Sequence, residues 1–461
     1  MNRRKNDTSY RISSYSKGKT PLAEHELKQE HREPFGLRAG FWGLSAFYVV
    51  YCARPQEVIP GLGWIPVAKL AGALALLGLV LSVGRSQRKL AHLPREAYYL
   101  LGLIGVLFLS AVFSPVWRGG AFFDTLEFSK VCVLWMLAFL LITDLGRLRT
   151  IIYIQAASVA VVSLVALAKG YSVDRLNGVI GGIYSNPNDL AFAIVLSLPL
   201  ALALLLTAKT IWMRAFWVGG ILAMAVALTR TASRAGMIDL AVAGTICLWH
   251  FGIKGKRFYL IPAALFVVVT IVAISGGTLR DRLGLGNEDS ISQQEGQAAA
   301  SYEERKVLMG KALSAIAEYP LLGLGAGNFV EYSGLWLEVH AAYLQIAVEG
   351  GIPALILYLL FFRAGFVNLK RVKQRQSVGD AELFRAALLA SLVGFVVGAA
   401  FSPEAYHFFP YLTVCCSSVL AAIVAPVQEP RALDVRPRHW YPAHETRAAS
   451  GRRGLVRAEQ S

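Results

Sequence analysis

Apolar runs recur almost from end to end of the chain, among them residues 64–83, 126–143, 188–208, 258–275 and 341–362. Each is near the ~20 residues a helix needs to cross ~30 Å of hydrocarbon. Only short polar breaks separate most of them. The pattern predicts an all-α fold, a polytopic transmembrane helical bundle of about 12 spans within residues 39–427. Such a chain leaves no room for a soluble catalytic domain.

One polar break is different. Residues 276–339 form by far the longest connection between spans, and a connection of that length usually carries function. Its first half, 279–300, is polar and expected to be mobile. In its second half Ser301-Tyr302-Glu303-Glu304 reads as a capping box. Tyr302, Arg305, Met309, Ala312, Ile316 and Tyr319 then recur at spacings of three and four. This predicts an amphipathic helix of about five turns, ended near Pro320 and lying along the membrane surface or capping the bundle. A glycine-rich turn follows, Gly323-Leu324-Gly325-Ala326-Gly327-Asn328-Phe329.

Composition agrees with a membrane protein: 55% hydrophobic, 16% charged, and a mean hydropathy of +0.49. A net charge of +16 would point to nucleic acid in a soluble protein. Here the cations sit in connecting loops. With residues 1–38 on the cytoplasmic side and the spans alternating, the inner segments hold 33 of the 46 lysines and arginines. That is the positive-inside bias, so orientation explains the charge and no nucleic-acid partner is expected. Both termini are then expected to be cytoplasmic and residues 276–339 periplasmic, as in an inner-membrane protein. The basic arm 1–38 and the tail 428–461 are expected to be disordered. The arm has no apolar core, so it does not read as a signal peptide. Cys52, Cys132, Cys247, Cys415 and Cys416 lie in or beside apolar runs without ligand spacing and read as buried small hydrophobes.

The candidate chemistry gathers on the outer side. Arg305 occupies the apolar stripe of the loop helix, where a guanidinium either snorkels to headgroups or meets an anion. Arg234 opens a span on that side, with Arg230 one turn earlier. A cation opposes the dipole at a helix N-terminus, so helix stability does not explain it. Interfacial anchoring would, and so would phosphate oxygens held bidentately. His340, at the start of the next span, could take a hydroxyl proton near neutral pH or serve as a hydrogen-bonding residue at the interface. Glu349 lies deeper in that span, where helix-packing hydrogen bonds compete with a substrate role. Glu127 and Lys130 can neutralise one another. Asn186-Pro187-Asn188-Asp189 suits a helix cap, with Asn188 a polar candidate and Arg175 a third cation in the loop before it. No Asp-x-Asp pair, phosphate-binding glycine motif or nucleophile elbow occurs in context, so neither metal nor cofactor is expected.

These segments together resemble the O-antigen ligase and O-antigen polymerase superfamily of bacterial membrane glycosyltransferases. The similarity rests on Arg175 with Ser185-Asn186-Pro187-Asn188-Asp189-Leu190-Ala191, and on Leu228-Thr229-Arg230-Thr231-Ala232-Ser233-Arg234-Ala235-Gly236. It continues in Arg305 ahead of Tyr319-Pro320-Leu321-Leu322-Gly323-Leu324-Gly325, and in His340 with Tyr343-Leu344-Gln345 and Glu349-Gly350-Gly351. One departure stands out: the family usually has Asn directly after the histidine, and this chain has Ala341.

The resemblance implies a metal-independent, inverting transfer of a glycan from a polyprenyl-diphosphate carrier to an acceptor hydroxyl. The acceptor could be lipid A core, another glycan, or protein. It implies that Arg234 and Arg305 match the arginines on the diphosphate and that His340 matches the histidine acting on the acceptor. Polymerase and protein O-oligosaccharyltransferase activities share the donor half and stay open. From a different class, a secondary transporter or flippase is the rival, and it would need charges near the bilayer midplane.

Overall fold

Small residues let the first two helices of the structure approach closely. These are α1, Phe35–Ala53, and α2, Val67–Val80. A Cβ on Gly43 of α1 would fall 2.7 Å from the Ala75 nitrogen, and one on Gly78 of α2 would fall 2.4 Å from the Gly40 nitrogen. Where lipid competes for apolar surface, such close backbone packing is what holds helices together.

The structure is a computed structural model describing residues 35–59, 61–81, 93–170, 176, 181–184, 186–274, 288–375 and 379–425. The chain continues with α3 (Arg95–Val112), α4 (Arg118–Leu141), α5 (Leu145–Lys169), α6 (Pro187–Thr207) and α7 (Ile211–Thr231). Next come α8 (Arg234–Cys247), prolonged by a π-helical stretch Leu248–Lys254, and α9 (Leu260–Ile274). The long connection carries α10 (Glu288–Glu318), and the chain closes with α11 (Ala342–Gln374), α12 (Asp380–Gly398) and α13 (Phe408–Ile423). The protein is an all-α polytopic helical bundle. Among the described residues, seven helices are long and apolar enough to cross a membrane: α3, α5, α6, α7, α8 with its π-helical extension, α11 and α12; α2 and α13 are shorter apolar helices.

Local signals place several boundaries. The side chain of Asn186 accepts from the Asn188 N–H at the start of α6, Asp144 from Arg147 at α5, Thr210 from Met213 at α7, and Ser233 from Gly236 at α8. Asn186 is therefore a cap, with Pro187 in the first turn. All five cysteines are buried, and Glu127 pairs with Lys130 on the exposed face of α4. The arm and tail expected to be disordered lie outside the described residues, except that α1 already begins at Phe35.

Two expectations about the long connection change. The loop helix does not open at Ser301 but at Glu288. The run Gln293–Ala300 is polar yet made largely of Gln, Glu and Ala, which favour helix, so a capping-box pattern inside it does not start a new one. Residues 279–287 of the stretch expected to be mobile lie outside the described residues. The buried face of α10 is also displaced. Leu308, Ala312 and Ala315 are buried, with Ile316 and Tyr319 packed beside them, against Leu324, Phe329, Val339 and Val348. Tyr302 and Met309 are exposed. Arg305 continues the stripe one turn before Leu308, but there it is exposed.

Connections meet at two ends of the bundle. At one, Arg149 bonds Asp380 at 3.0 Å and the Thr207 hydroxyl at 3.1 Å, and buried Arg385 pairs with Glu382 at 2.6 Å. At the other, the Tyr184 hydroxyl donates to the Cys52 carbonyl at 2.7 Å and Lys169 donates to the Glu57 carbonyl at 3.3 Å. The segments that the charge pattern assigns to one side thus converge on one end.

Candidate functional site

The α7–α8 junction is a tight turn. Ala232 adopts a left-handed conformation, φ 51°, and Ser233 caps α8. Arg234 is the first residue of α8 and is exposed. Arg230, in the last turn of α7, is half-buried and donates to the Gly170 carbonyl at 3.2 Å, while its own carbonyl accepts from Leu176. Arg230 therefore ties the α5–α6 connection to the junction. Arg175, in that connection, lies outside the described residues. Asn188 is half-buried in the first turn of α6.

A chain of contacts carries this junction to His340. Gly236 packs so closely on α6 that a Cβ there would meet the Ala191 Cβ at 2.8 Å. Deeper in α8, Asp239 abuts Gly398, the last residue of α12. The next carbonyl, that of Ala399, accepts the Ala342 N–H at 2.7 Å, two residues after His340. His340 is half-buried just before α11. Burial, and then the Arg305 guanidinium, hold its imidazole below the ordinary range, with Glu304 opposing. The fold thus brings Arg305 and His340 into one electrostatic neighbourhood. Ala341 is the N-cap of α11 and supplies no side-chain cap; an Asn there would be a capping residue.

Other polar residues at this end had no role in the sequence reading. Glu404, buried between α12 and α13, hydrogen-bonds Asp189 and accepts from the Ser402 hydroxyl at 3.1 Å. Burial and then Asp189 raise its carboxyl well above the usual range. Desolvation and then Asp189 also raise Glu338. Their signals were present in the chain: Ser402-Pro403-Glu404-Ala405-Tyr406-His407 is densely polar in an apolar third, and Glu338 precedes His340 by two.

Glu349 is buried, 2% exposed. Its carboxylate accepts from the Tyr406 hydroxyl at 2.6 Å and from the Gly327 N–H. It therefore faces the glycine-rich turn, not the surface.

A sequence profile of the family described as O-antigen ligase matches residues 219–359. Over that stretch the chain is similar to the O-antigen ligase family. The matched stretch holds Arg230, Arg234, Arg305, His340 and Glu349, and Asn188 and Arg175 precede it. No curated protein matches the chain. The match supports a likeness to the O-antigen ligase superfamily over residues 219–359, and with the apolar helices it points to a multi-pass membrane protein.

Proposed function

We propose that the protein transfers a glycan from a polyprenyl-diphosphate carrier to an acceptor hydroxyl at the periplasmic face of a bacterial inner membrane. The observation that carries the reading is that the Arg305 guanidinium lies near enough to His340 to help hold its imidazole in the neutral form, in the region where Arg234 opens α8. Arg234 and Arg305 hold the diphosphate, where their fixed charge stabilises the leaving group as the glycosidic bond breaks. Arg305 is exposed, which leaves its fork open to phosphate oxygens. The neutral His340 imidazole takes the proton of the acceptor hydroxyl, whose oxygen attacks the anomeric carbon. The carrier departs as polyprenyl diphosphate, and one displacement inverts the configuration. Lipid A core is the favoured acceptor, with a second lipid-linked glycan or a protein hydroxyl as the competing ones.

Orientation rests on the charge distribution: both termini cytoplasmic, α10 periplasmic. Because the native cysteines are buried, an impermeant thiol reagent added to intact cells should reach Tyr302→Cys and miss Lys256→Cys. The opposite labelling would remove the site from the periplasm.

The activity is tested with the purified full-length chain in lipid nanodiscs, scoring release of polyprenyl diphosphate when donor and candidate acceptors are supplied. Arg234→Lys and Arg305→Lys should each lose most turnover, since an ammonium cannot reproduce a bidentate fork. His340→Ala should slow transfer by roughly 10²–10⁴-fold and leave donor binding nearly intact. Transfer at the wild-type rate in all three variants would refute the assignment.

A further inference from the structure

The turn between α10 and α11 is stitched to the middle of α11 by an unusually dense set of bonds, and Glu349 is at its centre. The Leu324 N–H donates to the Val348 carbonyl at 2.9 Å, the Gly325 N–H to the Glu349 carbonyl at 2.9 Å, and the Ile352 N–H to the Pro320 carbonyl at 2.8 Å. α11 can offer the Val348 and Glu349 carbonyls because its backbone breaks at Gly351, φ 75° and ψ −179°, and because Pro353 has no N–H to give to Glu349. The Ser110 hydroxyl on α3 also donates to the Glu349 carbonyl, at 2.7 Å. From the other side Asn328 donates to the Ser114 hydroxyl at 2.8 Å, so the α3–α4 connection holds the turn as well.

The Glu349 side chain adds the remaining link. It accepts from Gly327, inside the turn, and from Tyr406, in the connection that precedes α13. That same connection starts at Ala399, whose carbonyl anchors the first turn of α11 beside His340. One buried carboxylate thus joins the segment leading from Arg305 to the segment that seats His340. Asp124 of α4 backs the turn from below, since a Cβ on Gly327 would lie 2.1 Å from its Oδ2.

We propose that Glu349 and Tyr406 form a latch that sets the position of Arg305 relative to His340, which makes Glu349 a positioning residue for transfer and not a substrate ligand. This rests on the function proposed above. Loss of the latch lets α10 shift against α11, and small misplacements of reacting groups are costly in rate.

The test uses the full chain in nanodiscs with Glu349→Ala, Glu349→Gln, Tyr406→Phe and the Glu349→Ala/Tyr406→Phe double variant. Positioning predicts a kcat loss of roughly 10–100-fold for Glu349→Ala with little change in KM for the donor. Glu349→Gln keeps an acceptor oxygen and the side-chain volume, so it should recover most of that loss. The double variant should be little worse than Glu349→Ala alone, because both changes cut the same link. Spin labels at exposed Leu313 on α10 and Ile356 on α11 should show a broadened distance distribution in Glu349→Ala and Tyr406→Phe and a narrow one in wild type.

Wild-type rates in Glu349→Ala, or a Glu349→Gln variant as impaired as Glu349→Ala with a narrow distribution, would overturn the latch. The latter result would mean that the charge itself meets substrate. A wild-type chain that transfers nothing would instead refute the proposed function, and the spin-label distances would still decide the latch. If Glu349→Ala fails to fold, Tyr406→Phe, which removes only a hydroxyl, carries both readouts.

Discussion

Replacing Gly323 by Ala probes the docking of the glycine-rich turn directly. Gly323 has φ +67°, and a Cβ there would lie 2.4 Å from the Val348 carbonyl oxygen and 2.6 Å from the Glu349 carbonyl carbon. The left-handed backbone costs an alanine ~1–2 kcal/mol. The clash adds roughly 1–3 kcal/mol, because the neighbours are backbone atoms of α11 and not the free end of a side chain. The total is roughly 2–5 kcal/mol, a large share of the stability of an ordinary domain. Two controls separate the contributions. Gly334 has φ +66° with nothing within 4 Å, so Gly334→Ala should show only the backbone cost, ~1–2 kcal/mol. Gly310 lies on α10 with nothing within 4 Å, and Gly310→Ala should stabilise by roughly 0.5–1 kcal/mol. Denaturant and thermal unfolding of the purified protein in detergent supply the stabilities, and hydrogen exchange at residues 320–328 localises the change. Gly323→Ala should also lose transfer, whereas Gly310→Ala should not. Equal destabilisation by Gly323→Ala and Gly334→Ala would show that the turn does not press on α11, and the reasoning would fail.

The pH dependence has a defined sign. The neutral form of His340 is the base, so the rate should rise with pH through a pKa below 6.5, lowered by burial and by Arg305. On the residual activity of Arg305→Gln that limb should move to higher pH, and in Glu304→Gln to lower pH; single-turnover profiles that stay fixed or move oppositely would contradict the electrostatic pairing. Ala341 sits at an extended N-cap, φ −158° and ψ 116°, so Ala341→Asn should stabilise the start of α11 by ~1 kcal/mol. Slower amide exchange at Tyr343 and Leu344 would report it, and unchanged exchange would rule out a cap.

What the chain dictates by itself is whatever a window of a few residues can carry. Runs of apolar residues long enough for hydrocarbon leave helix as the only backbone that satisfies itself in lipid, so the all-α class was legible. The Asn186 cap and the Glu127–Lys130 pair follow from neighbours within one turn. The cationic candidates Arg234 and Arg305 and the imidazole of His340 were legible as residue types on one side of a topology.

Other features depended on which segments meet. The buried stripe of α10 is chosen by Leu324, Phe329, Val339 and Val348, which cover Leu308, Ala312 and Ala315 and stop short of Arg305. Periodicity places a residue on a face but cannot say where the cover ends. Glu349 read as a lone intramembrane acid until the fold laid Tyr406, 57 residues on, against it. The kink at Gly351 and the turn at Gly323 fit one another only because each presents bare backbone to the other. Close approach of distant main chains is decided by packing of the whole bundle, and no local pattern encodes it.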